Sequence, residues 1–444
     1  MKRFYLCLVL LLFIVQFTVG DVSFSGKAEI GLTAAPAFPY DQSRFITPLN
    51  PANFQGIEDL MPVTDFLGKL SGQDEATDFS VWLAVKPYYL GQALLAASTG
   101  TGSDADAQTK AVSESLPLLG YKVNTIDLLR ANIGWYISDF LVLRIGRQSM
   151  LTGYGYGWNP IDFINPVKDP YDPDLELKGV DALTVQFYMG NVFTLKLAGI
   201  YRTEGLTGGA DFDDLQAGAE ITASFPGIEV KATGFFDHDG SEGEDSYVPA
   251  LGLGIKTDVG GAGIYSEVAL LKGSRYNFPA ASVASTGDYS RKKDWLFSGL
   301  LGAEYTFESE ISATLEYFYN GEGLDLDDRR LYREGLDFYN SSPSGVSPTD
   351  YLLIYRPGYF SRHYILFSLY FPLYALDADF QLSFLYSPDS WVLNILPLLT
   401  FRISGSLSID LGYVGLFSLK SGQEDEAELS PINHLVKLLV RYDY

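Results

Sequence analysis

Cysteine, histidine and long apolar runs are the scarce features of this 444-residue chain, and each scarcity excludes something. The single cysteine, Cys7, falls within the first twenty residues, so the chain beyond them has no disulfide framework, no thiolate metal site and no cysteine nucleophile. The three histidines, His238, His363 and His434, are far apart in sequence. Past residue 20 no stretch approaches the ~20 apolar residues that a membrane-spanning helix needs. The nearest, Tyr364 to Leu376, is interrupted by Ser368 and Pro372. Positive charge is also short: 31 basic against 55 acidic residues, a net of −24, which disfavours nucleic acid and anionic partners.

The N-terminus is where apolar residues do run together. Lys2 and Arg3 precede the apolar segment Phe4 to Val15, and Thr18-Val19-Gly20 follows with small or permissive residues. That three-part pattern reads as a Sec-type signal peptide, residues 1–20, cleaved after Gly20. The segment is short for the alternative, an uncleaved membrane anchor. Without Lys2 and Arg3 the balance is 29 basic against 55 acidic residues, a net of −26. The expectation is a single domain over 21–444, because nothing in the chain resembles a linker.

What the chain has in abundance is aromatic residues, glycine and two-residue alternation. Thirty Tyr, 29 Phe and 44 Gly are too much aromatic surface for an ordinary soluble core. Leu407, Ile409, Leu411 and Tyr413 alternate with Ser406, Ser408, Asp410 and Gly412. Ala217, Ala219, Ile221 and Ala223 alternate with Gln216, Gly218, Glu220 and Thr222; Ala313, Leu315 and Tyr317 alternate with Ser312, Thr314 and Glu316. Successive strand side chains point to opposite faces, so each segment has one apolar and one polar face. Lipid offers no partner to backbone polar groups, and with helices excluded a closed barrel is the remaining way to span it.

The sequence therefore predicts an all-β transmembrane antiparallel β-barrel in the bacterial outer membrane. Short turns are expected at Ser138-Asp139, Gly190-Asn191, Pro226-Gly227, Gly260-Gly261, Glu308-Ser309, Ala375 to Asp377 and Ser404-Gly405. Long polar segments fall between them at 149–178, 204–213, 239–246, 273–293, 321–360 and 420–430. Short periplasmic turns and long extracellular loops are the asymmetry of such barrels. Seventeen strands are clear, beginning with 22–32, 78–86, 124–136 and 139–148 and ending with 432–444. An even number is required, and Tyr88 to Ser98 supplies the eighteenth; sixteen is the fallback. The competing architecture is a soluble antiparallel sandwich with one solvated face.

The polar faces carry Lys196, Glu220, Glu304, Glu316 and Asp410, and unpaired carboxylates are too costly to bury in a dry core. A hydrated lumen conducting small polar solutes, with a mild cation bias, is the expectation. Arg144 faces away from Leu143 and Ile145; together with Glu220, Glu304 and Asp410 it would set a transverse field across a constriction.

One local pattern is distinctive. Gly146-Arg147-Gln148 ends a strand, Gly153-Tyr154-Gly155-Tyr156-Gly157-Trp158 follows, and then Asn159-Pro160-Ile161-Asp162 and Asn165-Pro166. Over about residues 124–202 this resembles the Gram-negative and spirochaetal outer-membrane porins that include alginate-export-like proteins. In those a Gly-Arg/Lys-Gln strand end precedes a Trp-Gly turn and an Asn-Pro-x-Asp loop. Here the turn reads Gly157-Trp158, in the reverse order. The resemblance implies a diffusion channel. Arg147 and Asp162 also stand among the lumen and constriction candidates. The 149–178 loop, far longer than an ordinary connection, either folds into the lumen as a constriction or caps the outside. Segment 33–77, with Pro36, Pro39, Pro48, Pro51 and Pro62, reads as a lid or a plug.

Other features point less far. The last strand ends on Tyr442 and Tyr444, the aromatic C-terminus that barrel-assembly machinery reads. Acidic clusters such as Asp172, Asp174 and Glu176 offer oxygen ligands for weak loop-bound Ca²⁺, yet none has EF-hand spacing, and solvated loops explain them as well. No cofactor is expected. Asp237-His238-Asp239 has the elements to activate water but lacks a nucleophile elbow, so no enzyme is expected. Asn50-Pro51-Ala52 is a weak likeness to long-chain fatty-acid transporters, which would need an apolar lumen. The expected partners are outer-membrane lipid, the assembly machinery and small solutes, with oligomeric state open. A surface-exposed binding or structural barrel with a closed lumen is the other reading.

Overall fold

The computed structural model describes residues 21–35, 60–86, 126–201, 215–239, 246–283, 288–341, 354–420, 426–430 and 432–444. Expectations for the leader 1–20, the 88–98 strand, Asn50-Pro51-Ala52 and the 204–213 loop lie outside these residues.

The period-2 segments form strands β1 (Asp21–Ala34), β2 (Leu60–Gln73), β3 (Thr77–Val85), β4 (Ile126–Ser138), β5 (Leu141–Gln148), β6 (Val180–Met189) and β7 (Phe193–Tyr201). They continue as β8 (Leu215–Phe225), β9 (Ile228–Asp239), β10 (Ser246–Val259) and β11 (Ala262–Lys272). A two-stranded hairpin, β12 (Asn277–Pro279) and β13 (Tyr289–Arg291), interrupts the series in a loop. The wall resumes with β14 (Trp295–Thr306), β15 (Ser312–Tyr319), β16 (His363–Leu373), β17 (Ala378–Ser387), β18 (Val392–Arg402), β19 (Leu407–Ser418) and β20 (His434–Asp443). Eighteen strands pair antiparallel with their chain neighbours, and β1 pairs with β20, so the sheet closes with no free edge. Strand spacing and the usual tilt give an 18-strand wall a backbone radius of about 18 Å.

The count of eighteen is as expected, but one strand differs. The additional strand is β2, inside the segment read as a lid or plug, and the 74–76 turn joins it to β3. Pairing of Leu32 with Pro62 through Asp21 with Gln73 fixes its place beside β1. Residues 60–77 are thus wall and turn rather than lid, and 36–59 lie outside the described residues.

All seven anticipated tight turns are present, on one end of the barrel. Gly227 (φ 77°), Gly260 (φ 60°) and Gly261 (φ 86°) take the left-handed conformations these turns demand. The other end carries the long connections. One of them contains helix α1 (Leu326–Ser341), and the last contains the short helix α2 (Glu426–Leu429). The exception is the β17–β18 connection, which is short although it lies at the long-loop end.

The two faces of the wall differ as alternation requires. Outward side chains are apolar and exposed, among them Phe24, Ile30, Leu183, Leu253, Leu301 and Leu411. An unbroken ring of such residues around a closed wall suits hydrocarbon and not water. Among the described residues no helix is long and apolar enough to cross a membrane. At the long-loop end, Phe278, Leu324, Tyr332, Leu336, Phe360 and Leu429 form a separate apolar cluster. It joins the β12–β13 hairpin, α1, the segment before β16 and α2 into a cap.

Candidate functional site: a loop folded inside the barrel

Residues 149–179, between β5 and β6, enter the lumen and run round its inner wall. Thr152 donates to Glu220 of β8 at 2.7 Å, and the Tyr154 hydroxyl donates to Glu229 of β9 at 2.9 Å. The backbone N–H groups of Tyr154, Gly155 and Ile161 all point at the carboxylate of Glu267 on β11. Those of Tyr156 and Gly157 point at Glu316 on β15, which also accepts from the Tyr265 hydroxyl at 2.7 Å. Gln381 of β17 donates to the Tyr156 hydroxyl at 2.9 Å. On the return, Glu176 meets Lys69 of β2 at 2.7 Å and Arg130 of β4 at 3.4 Å. Lys178 then meets Asp127 of β4 at 3.1 Å. The segment is a collar, fastened at successive strands around the circumference.

Local chemistry explains why this stretch can leave its own hydrogen bonds to the wall. Gly155 is obligatory, since an added Cβ would sit 1.8 Å from the Trp158 carbonyl oxygen. Gly153 holds φ 106°, which favours glycine. Asp162 ties the turn from within: it accepts from the backbone N–H of Ile164 and Asn165 and from the Asn165 side chain. Trp158 is completely buried, stacked on Phe318 at 5.1 Å, with its Nε1–H donating to the Gly358 carbonyl in the cap. The Tyr359 hydroxyl adds a second tie to the Lys168 carbonyl. An apolar layer of Met150, Ile161, Phe163, Ile200 and Phe235 fills the gap between collar and wall.

Each predicted lumen residue can now be placed. Glu220 and Glu316 face inward but are anchors of the collar rather than free charges on a pore wall. Glu267, their chief companion, is an inward glutamate that sequence reasoning passed over. Arg144 faces inward and grips Asp78 of β3 with two bonds of 2.5 and 2.8 Å, while donating to Asn132. Such a bidentate charged pair is strongly oriented. Glu304 faces inward near the short-turn end, paired with Lys256 at 2.8 Å. Asp410 pairs with Arg441 at 2.9 Å, and Arg441 also holds Glu29. These groups therefore lie on separate arcs of the wall. Arg147 takes a different position from the one expected. It shares the outer face with Ile145 and Leu183, and it pairs there with Asp181 at 2.5 Å. It lies three positions on from Arg144, and in a strand that is an odd step to the other face. Asp162 lies in the collar's own knot.

A stack at the collar's return belongs with this site. Lys69 sits 4.0 Å from the centroid of the Trp82 ring and Arg130 3.5 Å from it, with Glu176 joining both cations. Tyr442 is exposed on the outer face. Tyr444 closes the seam: its N–H and C=O pair with Gly26, and its ring packs on Phe24 and Phe66 at 5.5 and 5.9 Å.

No family model and no curated protein matches the sequence. The alginate-export-like resemblance thus rests on the motif of residues 146–166. Among solved structures the chain is similar to Salmonella typhi OmpF in complex with daunomycin, at 9% identity and a TM-score of 0.45, covering 95% of this chain and 97% of that one. It is similar to the Vibrio cholerae outer-membrane protein OmpT at 10% identity and 0.39, covering 96% and 100%. It is also similar to an anion-selective porin from Comamonas acidovorans at 9% identity and 0.39, covering 96% and 99%.

Proposed function

We propose that the protein is an outer-membrane channel for passive diffusion of small polar solutes, with residues 149–179 setting its bore. The observation that supports this most is the collar itself. A chain segment held at mid-wall by buried carboxylates narrows a lumen, whereas an apolar plug would need no such polar anchorage. The apolar outer belt and the charged inner face favour the same reading. Export through the Sec pathway, insertion by the barrel-assembly machinery reading Tyr442 and Tyr444, and an orientation with the short turns in the periplasm complete the proposal.

The finer expectation is a mild preference for cations. Inward charges are largely paired across the wall, as in Arg144 with Asp78 and Lys256 with Glu304. The acidic surplus of the mature chain therefore acts chiefly through the loops at the mouth. No catalytic role is proposed.

Planar-bilayer recording of the folded mature chain tests this. Steady open steps, with a reversal potential favouring K⁺ in a KCl gradient, are expected. Silence from protein that is demonstrably folded and heat-modifiable would overturn the channel. It would favour the second reading, a binding barrel with a closed lumen, which draws on the cap that joins hairpin, α1 and α2 at the long-loop end.

A further inference from the structure

Between the collar and the cap lies a small, partly open cavity of about 20 Å³. Its lining brings together Asn159, Lys168, Arg275, Glu322, Arg356 and Tyr359. Most of these are already satisfied. Arg275 and Glu322 form a closed pair, with Nε and Nη2 both on one carboxylate oxygen at 2.8 and 2.5 Å and the Arg275 backbone N–H on the other at 2.7 Å. Lys168 donates to the carbonyls of Gly155 and Tyr156.

Arg356 is different. Its guanidinium carbon lies 3.2 Å from the centroid of the Tyr276 ring, and Tyr359 stands 5.8 Å away. The aromatic contact orients it, yet among the described residues no carboxylate is within ion-pair range and no acceptor takes its N–H groups. Its Nε is buried without a partner. A guanidinium held by a ring with its donor edge unspent is preorganised for a planar oxyanion. The same cavity has an unspent acceptor: the Asn159 side-chain oxygen is buried and unpartnered. The lining carries three cations, Lys168, Arg275 and Arg356, against two carboxylates, Asp162 and Glu322.

We propose that this cavity binds a small carboxylate that also carries a hydroxyl or amino donor, the carboxylate on Arg356 and the donor on Asn159. The site deepens the channel reading, on which its role as a solute stop at the collar rests. The carboxylate, with two coplanar oxygens, matches the guanidinium fork better than a tetrahedral anion does. The donor satisfies an oxygen that is otherwise costly to leave bare in a buried place.

Calorimetric titration of the folded full-length mature chain in detergent tests it, with glycolate, acetate and inorganic phosphate as separate arms. Glycolate is expected to bind about 10-fold tighter than acetate, and Arg356→Gln to weaken both by about 10-fold. Asn159→Ala is expected to abolish the difference between glycolate and acetate. Should Arg356→Gln fail to fold, Tyr276→Ala removes only the ring beside the guanidinium and carries the same expectation. Unchanged binding in these variants, absence of saturable binding, or phosphate binding as tightly as glycolate would overturn the proposal. The readout is independent of conduction. A conducting barrel that binds nothing refutes the site and leaves the channel, while a silent barrel that binds glycolate supports the site and refutes the channel.

Discussion

Removal of the collar's carboxylate anchors should widen the channel, and Glu316 is the first to remove. It accepts from the N–H groups of Tyr156 and Gly157 and from the Tyr265 hydroxyl. Glu316→Leu leaves both backbone donors and the hydroxyl without an acceptor. Bonds to a charged group contribute about 1.5–3 kcal/mol each, so the two backbone bonds alone represent about 3–6 kcal/mol of seating free energy. The lower figure already shifts the ratio of seated to unseated collar by about 100-fold. Glu267 still holds Tyr154, Gly155 and Ile161, so the single variant should loosen only the stretch around Gly157. The double variant Glu267→Leu/Glu316→Leu should free the collar from this side of the wall. Single-channel recording reads both effects. The single variant is expected to flicker at near-parental conductance, and the double to show larger steps. If the double variant, shown to be folded by its heat-modifiable mobility, conducts and fluctuates as the parent does, the collar does not set the bore.

Arg144→Met exposes Asp78 to the lumen unpaired, so the reversal potential in a KCl gradient should move further toward that of K⁺; an unmoved potential would place the pair off the conduction path. In the cap, burial alone would raise the Glu322 carboxyl, but Arg275 beside it prevails and holds it below its ordinary value of 4.5. The stabilisation is present above that value and lost as pH falls through the lower folded-state value. Limited proteolysis of the cap should therefore accelerate below about pH 4.5, and Arg275→Met should remove the contrast. Tyr444→Ala keeps the backbone pairing with Gly26 but loses the contacts with Phe24 and Phe66. Its barrel should open in SDS at lower temperature and assemble more slowly, which gel mobility against temperature and time records.

The sequence made the wall legible because lipid outside and water inside enforce alternation residue by residue. Strands such as β8 and β19 could be read directly, and so could the glycine-bearing turns. β2 was hidden for a physical reason. Its outward set includes Thr64, Gly68 and Pro62, its inward set includes Val63 and Leu67, and the contrast between faces that marks a strand is blurred. Pro62 also removes a ladder donor. Roles inside the lumen were less legible. That Glu220 and Glu316 face inward follows from alternation, but that they hold a loop depends on contacts spanning 68 and up to 160 residues of chain. Glu267 carries the same inward signal, blurred because Ser266 on the outer face weakens β11's pattern. At Arg147 the Gly-Arg-Gln motif points inward, whereas the parity of the strand turns the side chain outward. Nothing local marks Arg356, whose unspent donors become apparent only once Tyr276 and the cap are folded beside it.

Hydrogen–deuterium exchange across residues 150–165 of the folded protein tests most directly that this segment lies within the barrel, its amides held by Glu267 and Glu316. Protection of the Tyr154, Gly155, Tyr156, Gly157 and Ile161 amides comparable to that of wall strands, and its loss in Glu267→Leu/Glu316→Leu, is the predicted result. Exchange of those amides at the rate of an exposed loop in the parent protein would contradict it.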